Sequence, residues 1–242
     1  MLHFSKVCLL VLTIAVGCAS SHRRYEKAYA FPNKEESVAC KPYKMVVIDP
    51  GHGGEDFGTH SSLKPRYQEK FLNLTTARLL KGYLHELGYQ TVMTRNDDTF
   101  IPLLTRASFA NAQPSVLFIS VHFNSAPSKE AQGIEVYFYE KDKDRKRVDQ
   151  SKQLAELVLK SVISQTKAKS RGIKHGNFAV IRETTMPAIL VEGGFLTNDE
   201  EMKKIKNPDY LKKLALGMAK GIDSYLKLPV APKVVKVTKK AK

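Results

Sequence analysis

The chain has 242 residues, with 39 Lys plus Arg against 24 Asp plus Glu, a formal net charge of +15 and three cysteines. That length supports one sizeable domain with its own core, and the cysteines exclude a disulfide framework, since Cys8 and Cys18 fall in or beside an apolar leader and only Cys40 remains. The charge favours anionic partners, but much of the excess sits at residues 141–147 and 232–242, which read as a solvated loop and a tail, and no nucleic-acid recognition motif is present.

Residues 7–19 form an apolar or small-residue run of 13, short of the ~20 that a membrane span needs. Residues 1–20 therefore read as a secretory signal peptide. Two processing routes stand side by side. Cleavage near Ala19 suits an ordinary signal peptidase, whereas Ala15-Val16-Gly17-Cys18 resembles a lipoprotein box with Ala15 where Leu is usual; the second route would lipidate Cys18 and tether the chain to a membrane. Either way the expected destination is the periplasm or cell envelope. Residues 21–42, with Pro32 and Pro42, read as a linker, 43–228 as the folded domain and 229–242 as a basic disordered tail.

The first strand is expected at 46–49, running into Asp49-Pro50-Gly51-His52-Gly53-Gly54. A polar loop leads to a helix over 68–87, whose apolar positions recur at helical spacing and which Gly88 can cap. A strand at 89–94 and a helix at 103–112 follow, the latter ending before Pro114. Strands at 116–121 and 134–139, a helix at 149–166, strands at 178–181 and 188–191 and a helix at 208–227 complete the pattern. Strands alternating with helices predict an α/β fold: a single domain with a mostly parallel twisted sheet, helices on both faces and the active site at the carboxyl ends of the strands.

Three apolar strands deliver chemistry at those ends, through His52, His122 and Glu192, and Glu69 opens the first helix. Two histidines and one glutamate form a known catalytic zinc set that leaves a fourth position for water, with one Zn2+ per chain. A further carboxylate is then needed to move protons, and Glu192, followed by Gly193-Gly194, suits that role. Each residue also has a plainer reading. Glu69 could serve only the helix dipole, and either histidine could be a satisfied core side chain. Glu192 is harder to dismiss, because a carboxylate at the lip of a buried strand needs a partner or a task.

These residues resemble a known family, the zinc-dependent N-acetylmuramoyl-L-alanine amidases of the bacterial cell wall with the type 3 catalytic domain. The resemblance runs from about Met45 to Leu226. It is carried by residues 47–54, by Glu69-Lys70-Phe71-Leu72-Asn73-Leu74, by Thr94-Arg95-Asn96-Asp97, by Arg106 with Ala110-Asn111, by Ser120-Val121-His122-Phe123-Asn124, and by residues 191–198 beginning Val191-Glu192-Gly193-Gly194. It implies that His52, Glu69 and His122 bind zinc and that Glu192 is the catalytic acid and base. The implied substrate is peptidoglycan, cleaved at the amide between the lactyl group of N-acetylmuramic acid and L-alanine during wall remodelling, division or recycling. Water activated at the zinc would lose a proton to Glu192, attack the lactyl carbonyl and release the alanine amine.

Family members often carry an inhibitory helix between the second histidine's strand and the glutamate. The 70 residues from His122 to Glu192 leave no room for one here. An activator protein is not identifiable, and the basic surface and tail are expected to dock on the wall; unchanged sacculus binding after deletion of 229–242 would refute that. Arg95, Arg106 and Asn124 either bind substrate or, for the arginines in particular, anchor strand-end loops.

Other activities compete with this reading. Ser61 and Ser164 each begin a Ser-x-x-Lys sequence, the signature of a penicillin-sensitive serine carboxypeptidase, though such sequences arise readily by chance in a Lys-rich chain. The same zinc chemistry would serve a stem-peptide peptidase, and a non-catalytic wall-binding protein would keep the scaffold without turnover.

Overall fold

The computed structural model describes residues 44–229. The readings of the leader, Cys18, the linker and all but the first residue of the tail lie outside the described residues. Six strands form one sheet: β1 (Met45–Pro50), β2 (Gln90–Met93), β3 (Ser115–Asn124), β4 (Ile134–Phe138), β5 (Ser170–His175) and β6 (Ala188–Phe195), in the order β2-β1-β3-β6-β4-β5. Every pairing is parallel except β4 with β6. The chain leaves β1 towards β2 on one side and reaches β3 on the other, so the order reverses at β1 and opens a crevice beyond the carboxyl ends of β1 and β3.

The helices are α1 (Glu69–Glu86), α2 (Leu103–Asn111), α3 (Arg145–Thr166), α4 (Ala179–Arg182), α5 (Asp199–Ile205) and α6 (Pro208–Leu226). Period-two alternation in the strands sends their apolar residues to two unequal cores. On one face Val46, Ile48, Leu117, Ile119, Val136 and Val191 pack beneath α1, α3 and α6 in the large core. On the other, Val47, Phe118, Ala188 and Leu190 meet Ala110 of α2, Val180 and Ile181 of α4, and Met186, with Val92, Tyr137 and Tyr139 packed partly buried against them. The cover on that second face is thin, and its polar strand positions are where the chemistry gathers.

Helices on both faces, a mostly parallel sheet and one domain agree with the expected fold. Four local expectations need correction. Residues 178–181 are not a strand, because Ala179–Arg182 form a single helical turn; four apolar residues carry no periodicity that separates helix from strand. A strand does occur nearby at Ser170–His175, at the sheet edge, where its polar Ser-Arg-Gly-Ile-Lys-His sequence hides it. Helix α3 begins at Arg145 rather than 149, capped by Asp144, whose carboxylate accepts from the N–H groups of Lys146 and Arg147, so part of the expected solvated loop is helical. Helix α5, which the apolar spacing did not announce, starts from a second such cap, Asn198 accepting from the Glu201 N–H.

Candidate active site

Strand β1 runs out into Gly51, and His52 follows in the left-handed region at φ 60°, a conformation that non-glycine residues adopt mostly under local constraint. Asp56 supplies that constraint, its Oδ2 lying 2.8 Å from His52 Nδ1 and so fixing the ring. The other ring nitrogen, Nε2, lies 3.1 Å from Glu69 Oε2. From β3, His122 presents Nδ1 at 2.9 Å from Glu69 Oε1. Glu69, buried at the first position of α1, is held by N–H donors from Thr59 at 2.9 Å and Phe123 at 3.2 Å and by Asn73 Nδ2 at 3.2 Å. Burial opposes its ionisation, but the hydrogen bonds to His122 and His52 prevail and hold the carboxyl well below the usual carboxylate range. For His52, burial opposes the charged form, and the contacts with Glu69 and then Asp56 outweigh it, leaving the imidazole raised.

Ligand atoms of His52, Glu69 and His122 all lie within 4.8 Å of one another, a set able to hold one metal ion. Two glycines make the cradle. A Cβ on Gly51 would stand 2.0 Å from His122 Cε1, and one on Gly58 would stand 2.5 Å from Glu69 Oε2.

Glu192 on β6 is paired in register with His122 on β3 and with Glu135 on β4, so three adjacent strands set these side chains in one row on the thinly covered face. Its Oε2 is buried and has no hydrogen-bond partner among the described residues. Burial, and then the negative charges of Glu69 and Glu135, push its pKa well above the usual carboxylate value. A cleft of roughly 320 Å3 joins these groups, lined by His52, Glu69, His122 and Glu192 together with Asn124 and Phe178.

The four central residues expected from strand ends and the helix start are thus brought to one place. The two arginines are not at its surface. Arg95 is 3% exposed and donates to the carbonyls of Pro50, Gly51, Lys70 and Asp97. Arg106 is 1% exposed, pairs with Asp49 at 2.9 Å and donates to the carbonyls of Pro50, His52 and Ile101. Both anchor the loop that carries His52. Asn124 does line the cleft, with Nδ2 donating to Glu135 Oε1 at 2.7 Å.

Neither serine of the Ser-x-x-Lys sequences lines the cleft. Ser61 is buried, donating to the Leu63 carbonyl and accepting from the Tyr67 N–H, and Ser164 is an exposed residue of α3. Two residues escaped the sequence reading: Asp56, whose signal was a carboxylate four residues after His52 in a glycine-rich loop, and Glu135, a buried carboxylate within the expected 134–139 strand.

A metal-competent trio beside a buried carboxylate, set at the switch point of an open α/β sheet, is the arrangement of metal-assisted hydrolases. A family model described as N-acetylmuramoyl-L-alanine amidase matches residues 46–224, and the chain belongs to that family of peptidoglycan hydrolases. Among relatives, the protein YqiI of Bacillus subtilis is 36% identical over 75% of this chain and 84% of its own. The amidase AmiC of Neisseria meningitidis is 31% identical over 77% of this chain and 53% of its own. The probable cell wall amidase LytH of Staphylococcus saprophyticus is 36% identical over 69% and 55%, so the chain spans about half the length of these last two. Of solved structures, an N-acetylmuramoyl-L-alanine amidase from Clostridium difficile 630 superposes with a TM-score of 0.72 at 41% identity, over 77% of this chain and 98% of that one. The catalytic domain of CwlV, from Bacillus (Paenibacillus) polymyxa, gives 0.69 at 38%, over 77% and 99%.

Proposed function

We propose that this protein is a zinc-dependent amidase that cuts peptidoglycan between N-acetylmuramic acid and the L-alanine of the stem peptide, acting outside the cytoplasm in wall remodelling, division or recycling. The observation that carries the reading is the convergence of His52, Glu69 and His122 within 4.8 Å beside a Glu192 oxygen that is buried without a partner. Two nitrogens and one carboxylate oxygen are a donor set that suits catalytic zinc. Zinc held there would supply a Lewis acid for the scissile carbonyl and lower the pKa of water towards ~7.

The chain's own residues supply the rest. Asp56 fixes the His52 ring and its tautomer, and the N–H groups of Thr59 and Phe123 fix both Glu69 oxygens, so the trio is preorganised. Glu192 accepts the proton of the attacking water at Oε2 and returns it to the departing alanine nitrogen, a role open to a buried carboxylate oxygen with no other hydrogen-bond partner among the described residues. Leu103 and Phe178, exposed apolar residues that line the cleft, offer apolar contact to the substrate.

Digestion of purified sacculi followed by mass analysis tests this directly. Wild type should release intact stem peptides with a free alanine amine, and Glu192→Ala should release none. Products cut within the stem peptide would replace the amidase reading with a peptidase one. Metal analysis of the purified protein should find one zinc per chain, lost in His52→Ala; full metal content in that variant would refute the ligand assignment.

A further inference from the structure

Glu135 lies opposite Glu192 in the β4–β6 pair and is 2% exposed, yet its partners are more cationic than it requires. Arg171 Nε donates to its Oε2 at 2.7 Å and Lys174 Nζ donates to the same oxygen at 2.5 Å, while its Oε1 accepts from Tyr137 Oη and Asn124 Nδ2, each at 2.7 Å. One buried negative charge thus holds two positive ones. Neither cation is buried: the side chains of Arg171 and Lys174 are 31% and 37% exposed. Lys174 Nζ has no other hydrogen-bond partner among the described residues, and Arg171 adds only a 3.5 Å contact from Nη1 to the Gln132 carbonyl. Most of their donors remain available to a ligand.

The cluster borders the cleft. Asn124 belongs to both, and Tyr137 packs edge-on against Phe178 of the cleft wall at a centroid distance of 5.1 Å. Arg171 is itself braced, with Cζ 4.8 Å above the Phe195 ring. Strand β5, which carries both cations, is two strands from Glu192 on β6, or about 10 Å at the usual spacing. An extended peptide covers that distance in roughly three residues.

Resting on the amidase reading, we propose that Arg171 and Lys174, held in place by Glu135, form a subsite for a free carboxylate on the peptide side of the scissile amide, within about three residues of it. Glu135 is a positioning residue: it fixes two flexible cations at the edge of the cleft. The arrangement selects substrates by charge. A stem peptide with its carboxylate free satisfies the cations, and one with that group converted to a carboxamide leaves one positive charge without a counterion.

The experiment uses two synthetic muramyl tripeptides that differ only in that group, acid or carboxamide. Calorimetric Kd values are measured on zinc-loaded Glu192→Gln, and kcat/KM on wild type. The acid should bind on the order of tenfold more tightly, as a charge-assisted pair does, and the difference should appear in KM rather than kcat. Lys174→Gln and Arg171→Gln should each shrink the preference, with Arg171→Lys restoring part of it. Equal Kd values for acid and amide overturn the subsite, leaving a pair that only neutralises Glu135, and so does undiminished preference in both variants. The wild-type comparison needs no substitution, so a poorly folding variant cannot protect the idea. Cleavage with no acid preference refutes the subsite alone; acid-selective binding with no cleavage by wild type refutes the amidase reading alone.

Discussion

At Gly51 the absent side chain is itself functional, because the His122 imidazole occupies the volume that a Cβ would need. Gly51→Ala should therefore displace one metal ligand while leaving the strands intact, and kcat/KM should fall at least about 100-fold, the usual cost of misplacing a catalytic group by an ångström. Steady-state kinetics beside a circular-dichroism melt would separate this from unfolding; near-normal turnover would show that the ring has another place to go. Glu135 gives a pH prediction. Burial raises its pKa, but the hydrogen bonds from Lys174, Tyr137 and Arg171 outweigh that and set the folded value below the ordinary 4.5. Its stabilising contribution is thus complete above the unfolded-state pKa and is lost as pH falls through the folded one. Urea unfolding of wild type should lose stability on acidification below about pH 5, and Glu135→Gln should show a shallower acid slope. An unchanged slope would mean that these cations do not bias the carboxyl in solution.

Among the elements, α3 and α6 make the closest contact. Gly217 and Gly221 lie one turn apart on α6, and a Cβ on either would stand 2.6 or 2.5 Å from the Cα of Val162 or Val158 on α3. Gly221→Ala should cost about 1–3 kcal/mol by forcing the helices apart, despite alanine's better helix propensity; urea denaturation would register it, and a gain in stability would mean that the helices separate freely. The elements also show how far the sequence could be read. Strands β1, β3 and β6 announced themselves because each is a run of Val, Ile, Leu or Phe ending in a polar residue, and this alone placed His52, His122 and Glu192 at their ends. Edge strand β5 is partly exposed along its length and has only Ile173 as an apolar marker, so no strand was expected there. Glu135 was illegible for a related reason: alternation tells which face a residue takes, and only the fold reveals that this face is buried by partners from β5. Helix α5 could have been found, since Asn198 followed by Glu201 is a helix-start signature.

Across the whole molecule, the two sheet faces differ in what they are for. The large core under α1, α3 and α6 supplies most of the buried apolar area, whereas the opposite face is closed by α2 and one turn of α4. Hydrogen exchange monitored by mass spectrometry should find α2 and α4 exchanging through local openings, while α6 exchanges only with global unfolding, a separation of at least about tenfold in rate. Uniform protection would contradict this division. The contrast reaches beyond stability. Loop 125–133 leaves the end of β3 on the catalytic side and contributes no residue to the large core, so its length can drift without endangering the fold. A lineage carrying this scaffold can acquire new substrate preferences by exchanging that loop, and a protein engineer can graft it from one amidase to another, because the candidate cleft and the core that keeps the chain folded lie on opposite faces of the same sheet.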